Sequence, residues 1–146
     1  MAQARIGYRS KLAYGNSDGP PETFTEVAAQ TSCTPGDPMF DEVETTNQDS
    51  LAFRKEFLPT MIDGGNVTGD GNYDPADATQ DRLRQLRDGG TVQNFRINVR
   101  DAPSNSIIRT ITFAGYVKEF SIDQLAPTAV QKYKFSIRVT GAETWA

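Results

Sequence analysis

The sequence predicts a mainly β protein: an antiparallel sandwich or small barrel flanked by one α-helix and carrying a long extended loop or hairpin. Three observations lead there. Residues 91–141 alternate apolar and polar side chains with a period of two. Twelve Gly and eight Pro in 146 residues punctuate the chain with turns. Only residues 71–90 carry the start and stop signals of a helix. A chain of this length organises one core, so 1–146 is read as a single domain.

"RIGYRSKLAYG", Arg5 to Gly15, alternates Ile6, Tyr8 and Ser10 with polar neighbours and reads as a first strand ending in the turn-rich "GNSDGPPE". "TFTEVAAQTSC", Thr23 to Cys33, is a second strand, broken by "TPGDP". Residues 35–62 are irregular, with period-two traces near Phe40–Thr45 and Phe53–Leu58, and read as an extended hairpin or long loop. Met39, Phe40, Leu51, Phe53, Phe57, Leu58 and Met61 give this segment too much apolar surface for a disordered linker, so something must cover it.

A Gly-rich strand, Asn66 to Tyr73, leads into the helix, placed at 75–88. Asp74 is the expected N-cap, Pro75 the first helical residue, and Gly89 and Gly90 the stop. Leu83 and Leu86 form its anchoring stripe, weakly extended by Ala76 and Thr79. Three strands follow, with Phe95, Ile97 and Val99, then Ile111, Phe113 and Tyr116, then Tyr133, Phe135, Ile137 and Val139. Phe95, Ile97, Phe113, Phe135 and Ile137 are the expected core, and Lys132, Lys134 and Arg138 face outward. The lone helix is expected to plug an open edge or end of the sheet.

A net charge of −4 argues against gripping a phosphate backbone. With no His, the usual base for a Ser or Cys nucleophile and the commonest transition-metal ligand are missing. The single Cys33 excludes an intramolecular disulfide and reads as a small apolar strand residue. No run is long and apolar enough for a membrane helix, and the first residues lack the apolar core of a signal peptide, so a cytoplasm-like setting without membrane contact is expected.

Candidate motifs reduce to structural readings. "DGNYD", Asp70 to Asp74, opens like a calcium loop, but Pro75 stands where that loop needs Gly and Asp81 where it needs Glu. "DGGNVTGDG" lacks the strand–loop–helix setting of a phosphate cradle and reads as a closely packed or flexible strand. Asp37, Asp41, Glu42 and Glu44 could pair as glycosidase carboxylates, but acids in a loop usually solvate it. Asn66-Val67-Thr68 fits a glycosylation sequon with no secretion signal to give it meaning. No cofactor or metal is implied, and an enzyme is the weakest reading.

"FTEVAAQTSCTPG", "DEVETTNQDSLAFRKEFLPTMIDGGNVTGDGNYDPADATQDRLRQL", "FRINVRD", "ITFAGYVKEFSID" and "VQKYKFSIRVTGAETW" together resemble the major tail tube protein of long, non-contractile-tailed bacteriophages and of related gene transfer agents. The resemblance covers about Thr23 to Trp145. Its most specific block runs from "TTNQDS" through "RKEFLP" and "DGGNVTGDGNYDP" to the helix with Gln80; the family more often has Gly where Thr60 stands. It implies a structural virion protein forming six-fold rings that stack into a tube through which DNA passes without specific binding. The implied partners are sister copies, a tail terminator, tail tip or baseplate proteins, and a tape measure protein in the lumen. The implied location is the virion tail, assembled in the host cytoplasm.

On that reading Met39, Phe40, Phe53, Phe57, Leu58 and Met61 make ring-to-ring contacts, and the channel wall is neutral or acidic, with most basic residues at interfaces or outside. An alternative within the same family is the tube of a gene transfer agent. An alternative of another class is a monomeric β-sandwich module that binds a sugar or peptide on Tyr73, Tyr116 and Trp145.

Overall fold

In the computed structural model, which describes residues 5–16, 22–101 and 103–146, the alternating last third forms the centre of the fold. The labels in chain order are β1 (Lys11–Gly15), β2 (Phe24–Glu26), β3 (Gln30–Thr34), β4 (Met39–Glu44), β5 (Phe57–Asp63), β6 (Asn66–Asn72), α1 (Ala78–Gly89), β7 (Gln93–Arg100), β8 (Ile107–Ile122) and β9 (Lys132–Trp145). The expected fold class holds: antiparallel, mainly strand, with one α-helix among the described residues. Parts of the two turn-rich runs, residues 17–21 and 102, lie outside the described residues.

Seven strands form one sheet in the order β2-β1-β7-β8-β9-β6-β3, and β4 and β5 form a separate two-stranded ribbon. The sheet order has a geometric consequence. β2 and β3 lie on opposite edges, which in a flat sheet would be roughly 29 Å apart at about 4.8 Å per strand. Only Val27, Ala28 and Ala29 join them, and four Cα steps reach at most about 14 Å. The sheet must therefore curl until its edges meet.

Gln30 stitches the meeting edges. Its Oε1 accepts the Leu12 N–H (3.0 Å), and its Nε2 donates to the carbonyls of Leu12 (2.9 Å) and Val27 (3.0 Å), so one side-chain amide replaces a rung of strand ladder. The corner itself turns at Ala29, which adopts φ 59°.

The core fills this roll with Leu12, Val67, Leu83, Leu86, Phe95, Ile97, Phe113, Phe120, Tyr133, Phe135 and Ile137, all buried. On β8 the buried residues run 111, 113, 115, 117 and then 120. The change of phase sits at the register shift between Val117 and Glu119, where one extra residue re-aims the strand and places Phe120 against Tyr133 (centroids 5.6 Å apart). Tyr116, in the alternating stretch before that shift, faces outward and is 38% exposed.

The glycines of β6 are packing devices. Gly69 and Gly71 pair directly with Phe135 and Tyr133, whose rings lie on the strand backbone. A Cβ on Gly69 would come 2.6 Å from the Phe135 ring, and one on Gly71 would come 2.6 Å from Tyr133 Oη and 2.5 Å from the Ala29 carbonyl.

Three boundaries differ from expectation. The first strand begins only at Lys11, with Ile6 and Tyr8 exposed before it. The second expected strand is two strands on opposite edges, split at the Ala28–Ala29 corner. The helix starts at Ala78 with Asp77 as N-cap, not Asp74: Asp77 accepts the N–H groups of Thr79 (2.8 Å) and Gln80 (3.3 Å). Asp74 instead closes a turn by accepting the Ala76 N–H (3.0 Å), with Pro75 and Ala76 inside that separate turn. The far end stops as expected, at Gly90 with φ 60°.

Helix α1 packs along β8 and seals the closure corner. Leu83 and Leu86 enter the core, and beside them Gln80 is wholly buried. Gln80 Nε2 donates to the carbonyls of Ala28 (3.1 Å) and Asn72 (3.0 Å), while its Oε1 accepts the Asp74 N–H (2.9 Å). Thr79 Oγ1 accepts the Ala28 N–H (3.0 Å), and Tyr133 Oη donates to the Ala28 carbonyl (3.0 Å). The helix thus completes the hydrogen bonding of a corner that Tyr133 of β9 and Asn72 of β6 satisfy only in part.

Candidate assembly surface

Residues 35–64 leave the barrel between β3 and β6 as an antiparallel ribbon. Phe40 pairs with Ile62, Val43 with Leu58 and Glu44 with Phe57. Directly paired residues share a face, so Phe40, Ile62 and Phe57 lie on one side and Val43, Leu58 and Met39 on the other. Every residue of β4, and all of β5 but Asp63, is exposed. The ribbon therefore presents apolar side chains on both faces, none of them buried by the described residues of its own chain.

The root is stiff. Asp63 pairs with Arg138 at 2.7 Å and also accepts the Gly65 N–H (2.9 Å). That backbone bond first, and the guanidinium second, hold the Asp63 carboxyl below its ordinary pKa. Gly64 lies so close to Val139 that a Cβ would come within 2.7 Å of it. Halfway along, the register shifts between Phe40 and Glu42, and the hydroxyl of Thr60 donates to the Asp41 carbonyl (2.8 Å) inside the resulting bulge. At the tip, Thr45 N–H bonds the Glu56 carbonyl (2.8 Å), and a 3-10 turn over Leu51–Phe53 holds Ala52 and Phe53 in left-handed backbone at φ 57° and 56°. Phe53 is fully exposed and Leu51 is 82% exposed.

All six residues expected to make ring contacts, Met39, Phe40, Phe53, Phe57, Leu58 and Met61, fall on this one projection, distributed over both faces and the tip. The structure adds Val43 and Ile62 to the same apolar surface; the alternation around "MFDEVE" and "LPTMID" was the signal for them. A two-stranded ribbon alone is marginal in water, and an apolar surface of this extent marks an interaction site.

The aromatics of a possible sugar platform are not brought together. Tyr73 sits beside Gln131 at the start of β9, Tyr116 on the outer face of the sheet, and Trp145 at the other end of β9. Thirteen residue steps of strand separate the ends of β9, roughly 40 Å. Asp70 is engaged by the hydroxyls of Ser32 (2.6 Å) and Thr31 (2.9 Å), which hold its carboxyl below the ordinary pKa. Asp74 faces its own turn, so the two do not converge on a cation. Cys33 packs against the core, and burial pushes its thiol up to about 12, far from a working nucleophile. Among the described residues no helix is long and apolar enough to cross a membrane.

A curled antiparallel barrel, closed by its own helix, with a stiffly rooted ribbon that is apolar on both faces, defines a structural subunit of an assembly. The chain belongs to the phage tail tube, TTP, lambda-like family, whose family model matches residues 13–146. It is a structural protein of the phage tail. Among curated proteins no sequence matches it.

Solved structures share its fold. A chain from the tail of an empty gene transfer agent particle, computed with helical refinement and C6 symmetry, superposes with TM-score 0.76 at 16% identity, covering 98% of this chain and 99% of that one. A chain from the sheath–tube complex of an extracellular contractile injection system gives 0.74 at 10% identity, covering 100% and 93%. The tail tube of SPP1 gives 0.66 at 14% identity, covering 97% and 78%.

Proposed function

We propose that copies of this chain close laterally into six-fold rings, and that the rings stack into the tube through which DNA leaves the particle. The observation that carries this reading is the ribbon: a rigidly anchored element of a tail tube family member whose two apolar faces require two covers. One subunit has two kinds of neighbour in a stacked ring, beside it and above or below it, so two faces can be covered at once. The gene transfer agent tail with C6 symmetry supports the ring order, and the same role in such an agent is the variant reading.

The channel is read as neutral or acidic. On the outer face of the sheet, Arg138 is paired with Asp63, Arg100 with Glu26 (2.5 Å) and Lys134 with Glu119 (3.8 Å), while Arg96 stacks over Phe24 (4.1 Å). Cations already matched by carboxylates hold a passing phosphate chain weakly. A tail terminator, a tail tip or baseplate and a tape measure protein complete the proposed partners. Solved chains of similar fold come from a baseplate and from a tube-terminating cap. Assembly in the host cytoplasm belongs to the same proposal.

Phe57→Asp tests it. Phe57 is half exposed and outside the core, so the variant is expected to fold as the parent does by circular dichroism and to form no rings or tubes in negative-stain micrographs. Tubes from the variant at parental concentrations would overturn the role of the ribbon. A parent chain that stays monomeric at all concentrations would overturn the tube itself.

A further inference from the structure

The ribbon is also where the charge of the chain resides. Residues 35–64 contain seven Asp and Glu and two Lys and Arg, a net −5, whereas the whole chain has 15 basic and 19 acidic residues, a net −4; the remainder is therefore +1. Glu42 and Glu44 share the ribbon face of Phe40, Phe57 and Ile62, and among the described residues neither carboxylate has an ion-pair partner. This face needs a cover that is apolar and basic.

One surface of the barrel has that composition. At the corner where β7 turns into β8, the segment before β1 is tied down by Arg5 to Asp101 (2.7 Å) and by the Ser10 hydroxyl, which accepts the Arg100 N–H (3.1 Å). It presents Ile6 and Tyr8, 69% and 59% exposed, and the exposed Ile107 and Ile108 begin β8 on the far side of Arg100. Arg9 lies over the Tyr8 ring (5.3 Å) and Arg109 over Trp145 (5.9 Å), and neither has a carboxylate partner among the described residues. The cations are thus held over apolar surface rather than neutralised.

The level of this corner decides which neighbour reaches it. The ribbon roots beside Arg138 and Val139, opposite Tyr116 and Gly115 of β8, and its first residues, Asp41, Met61 and Ile62, share a hollow with Thr140 and Gly141, so it points toward the end of β9 and the start of β8. The corner lies about 20–30 Å further along β8 than the root, so in a ring whose subunits stand at one axial level it is the outer part of the ribbon, around Glu44 and Phe57, that comes level with a neighbour's corner.

Resting on the tube reading above, we propose that the Phe40–Glu42–Glu44–Phe57 face of each ribbon seats on the Tyr8–Arg9/Ile107–Arg109 corner of the next copy around the same ring. The opposite face, with Val43 and Leu58, is left for the adjoining ring. The occupant of the corner is a second copy of this chain, recognised by charge and apolar complementarity together.

The test is a cysteine pair, Arg9→Cys with Glu44→Cys, in the full chain. Both positions are exposed, and the half-buried Cys33, which lines the same hollow as Arg9, is replaced by Ser so that it takes no part in exchange. After assembly, oxidation and non-reducing denaturing electrophoresis, a lateral seat gives a ladder that stops at the number of subunits in one ring, six on the reading above, and collapses to monomer with reductant. Assembled tubes with no ladder would overturn the seat while leaving the tube intact. A ladder running far past the ring number would place the contact between rings, and an internally linked monomer would place the ribbon on its own barrel; either overturns the proposal. A parent that forms no rings or tubes would remove the tube reading and the seat with it. As a second arm, Arg9→Glu with Arg109→Glu is expected to raise the concentration needed for assembly about tenfold or more, and adding Glu42→Arg with Glu44→Arg to restore it to within about threefold. Failure of the second pair to rescue assembly would overturn the complementarity.

Discussion

Replacing Gln80 with Leu asks whether one buried amide holds the barrel closed. The side chain is wholly buried, and its three hydrogen bonds reach the Ala28–Ala29 corner, the end of β6 and the turn before the helix. Each such bond contributes about 1 kcal/mol net. The Ala28 carbonyl keeps the Tyr133 hydroxyl as a partner, and Asn72 and Asp74 are exposed enough for water to reach them, so no large orphan penalty is added. The Leu side chain returns up to about 1 kcal/mol through apolar burial, leaving a loss of about 2 kcal/mol. Urea unfolding followed by circular dichroism, in a Phe57→Asp background expected to keep the chain monomeric, is the assay. With a denaturant slope of about 2 kcal/mol/M, the midpoint should fall by about 1 M. Gln80→Glu sharpens the result, because it aims a carboxylate at the Ala28 and Asn72 carbonyls. The folded state then favours the protonated acid, so the introduced group has a raised folded pKa, and its destabilisation should fade as pH falls through that pKa. A Leu variant within about 0.3 M of the parent, or a Glu variant as stable as the parent at neutral pH, would refute the closure role.

Three further outcomes follow from the same structure. Gly71→Ala should cost about 1–3 kcal/mol and lower the melting temperature by several degrees, since its Cβ meets both a ring and the Ala29 backbone carbonyl, which cannot rotate away; an unchanged melting curve would contradict the close packing. Asp77→Ala should cost about 1 kcal/mol by removing the N-cap, whereas Asp74→Ala should cost less; the reverse order in urea unfolding would contradict the cap assignment. The carboxyls of Asp77, Asp70 and Asp63 are all held below the ordinary value of 3.8, by the Thr79 hydroxyl, the Ser32 hydroxyl and the Gly65 N–H respectively. A lowered folded pKa contributes stability that is complete above the unfolded pKa and is lost as pH falls through the folded one, so monomer stability should be flat above about pH 5 and decline below about pH 4. A decline that begins near neutral pH would contradict it.

The central strands were legible because burial of one face imposes period two on the letters, and Phe95, Ile97, Phe113, Phe135 and Ile137 are all core. The helix C-terminus was legible because only Gly settles easily into left-handed backbone. Its start was not, because Asp74 and Asp77 are both acceptable caps by local rules. What separates them is tertiary: the corner at Ala28 needs Thr79 and Gln80 one turn into the helix, and only a start at Ala78 presents them. Gln80 reads as a wet residue by type, so its burial leaves no mark in hydropathy. The short edge strands were misjudged for a related reason, since three-residue β2 is held by pairing to β1 and by Arg100 to Glu26 rather than by its own pattern. The ribbon was half legible: its apolar content announced a missing cover, while its bulge and the sharing of that content between two faces depend on a register that the letters do not carry.

These two halves of the chain solve opposite problems. The barrel closes on itself: its edges are stitched by Gln30, its open corner is capped by α1, and its glycines let aromatic rings lie on the backbone. The ribbon pairs its own backbone but leaves its side chains uncovered; it contains the whole net negative charge and apolar residues on both faces, and it is joined to the barrel through a glycine root locked by Asp63 and Arg138. On the proposed assembly, a closed body gives each subunit a fixed shape beforehand, and an arm of opposite net charge gives each copy a surface with which to bind the next. Reversing that division, by loosening the barrel closure, would expose sheet edges that pair without any limit on number or direction, whereas binding through a rooted ribbon has one register and one geometry. The assembly contact is therefore best placed on the one element that the fold does not use for its own stability.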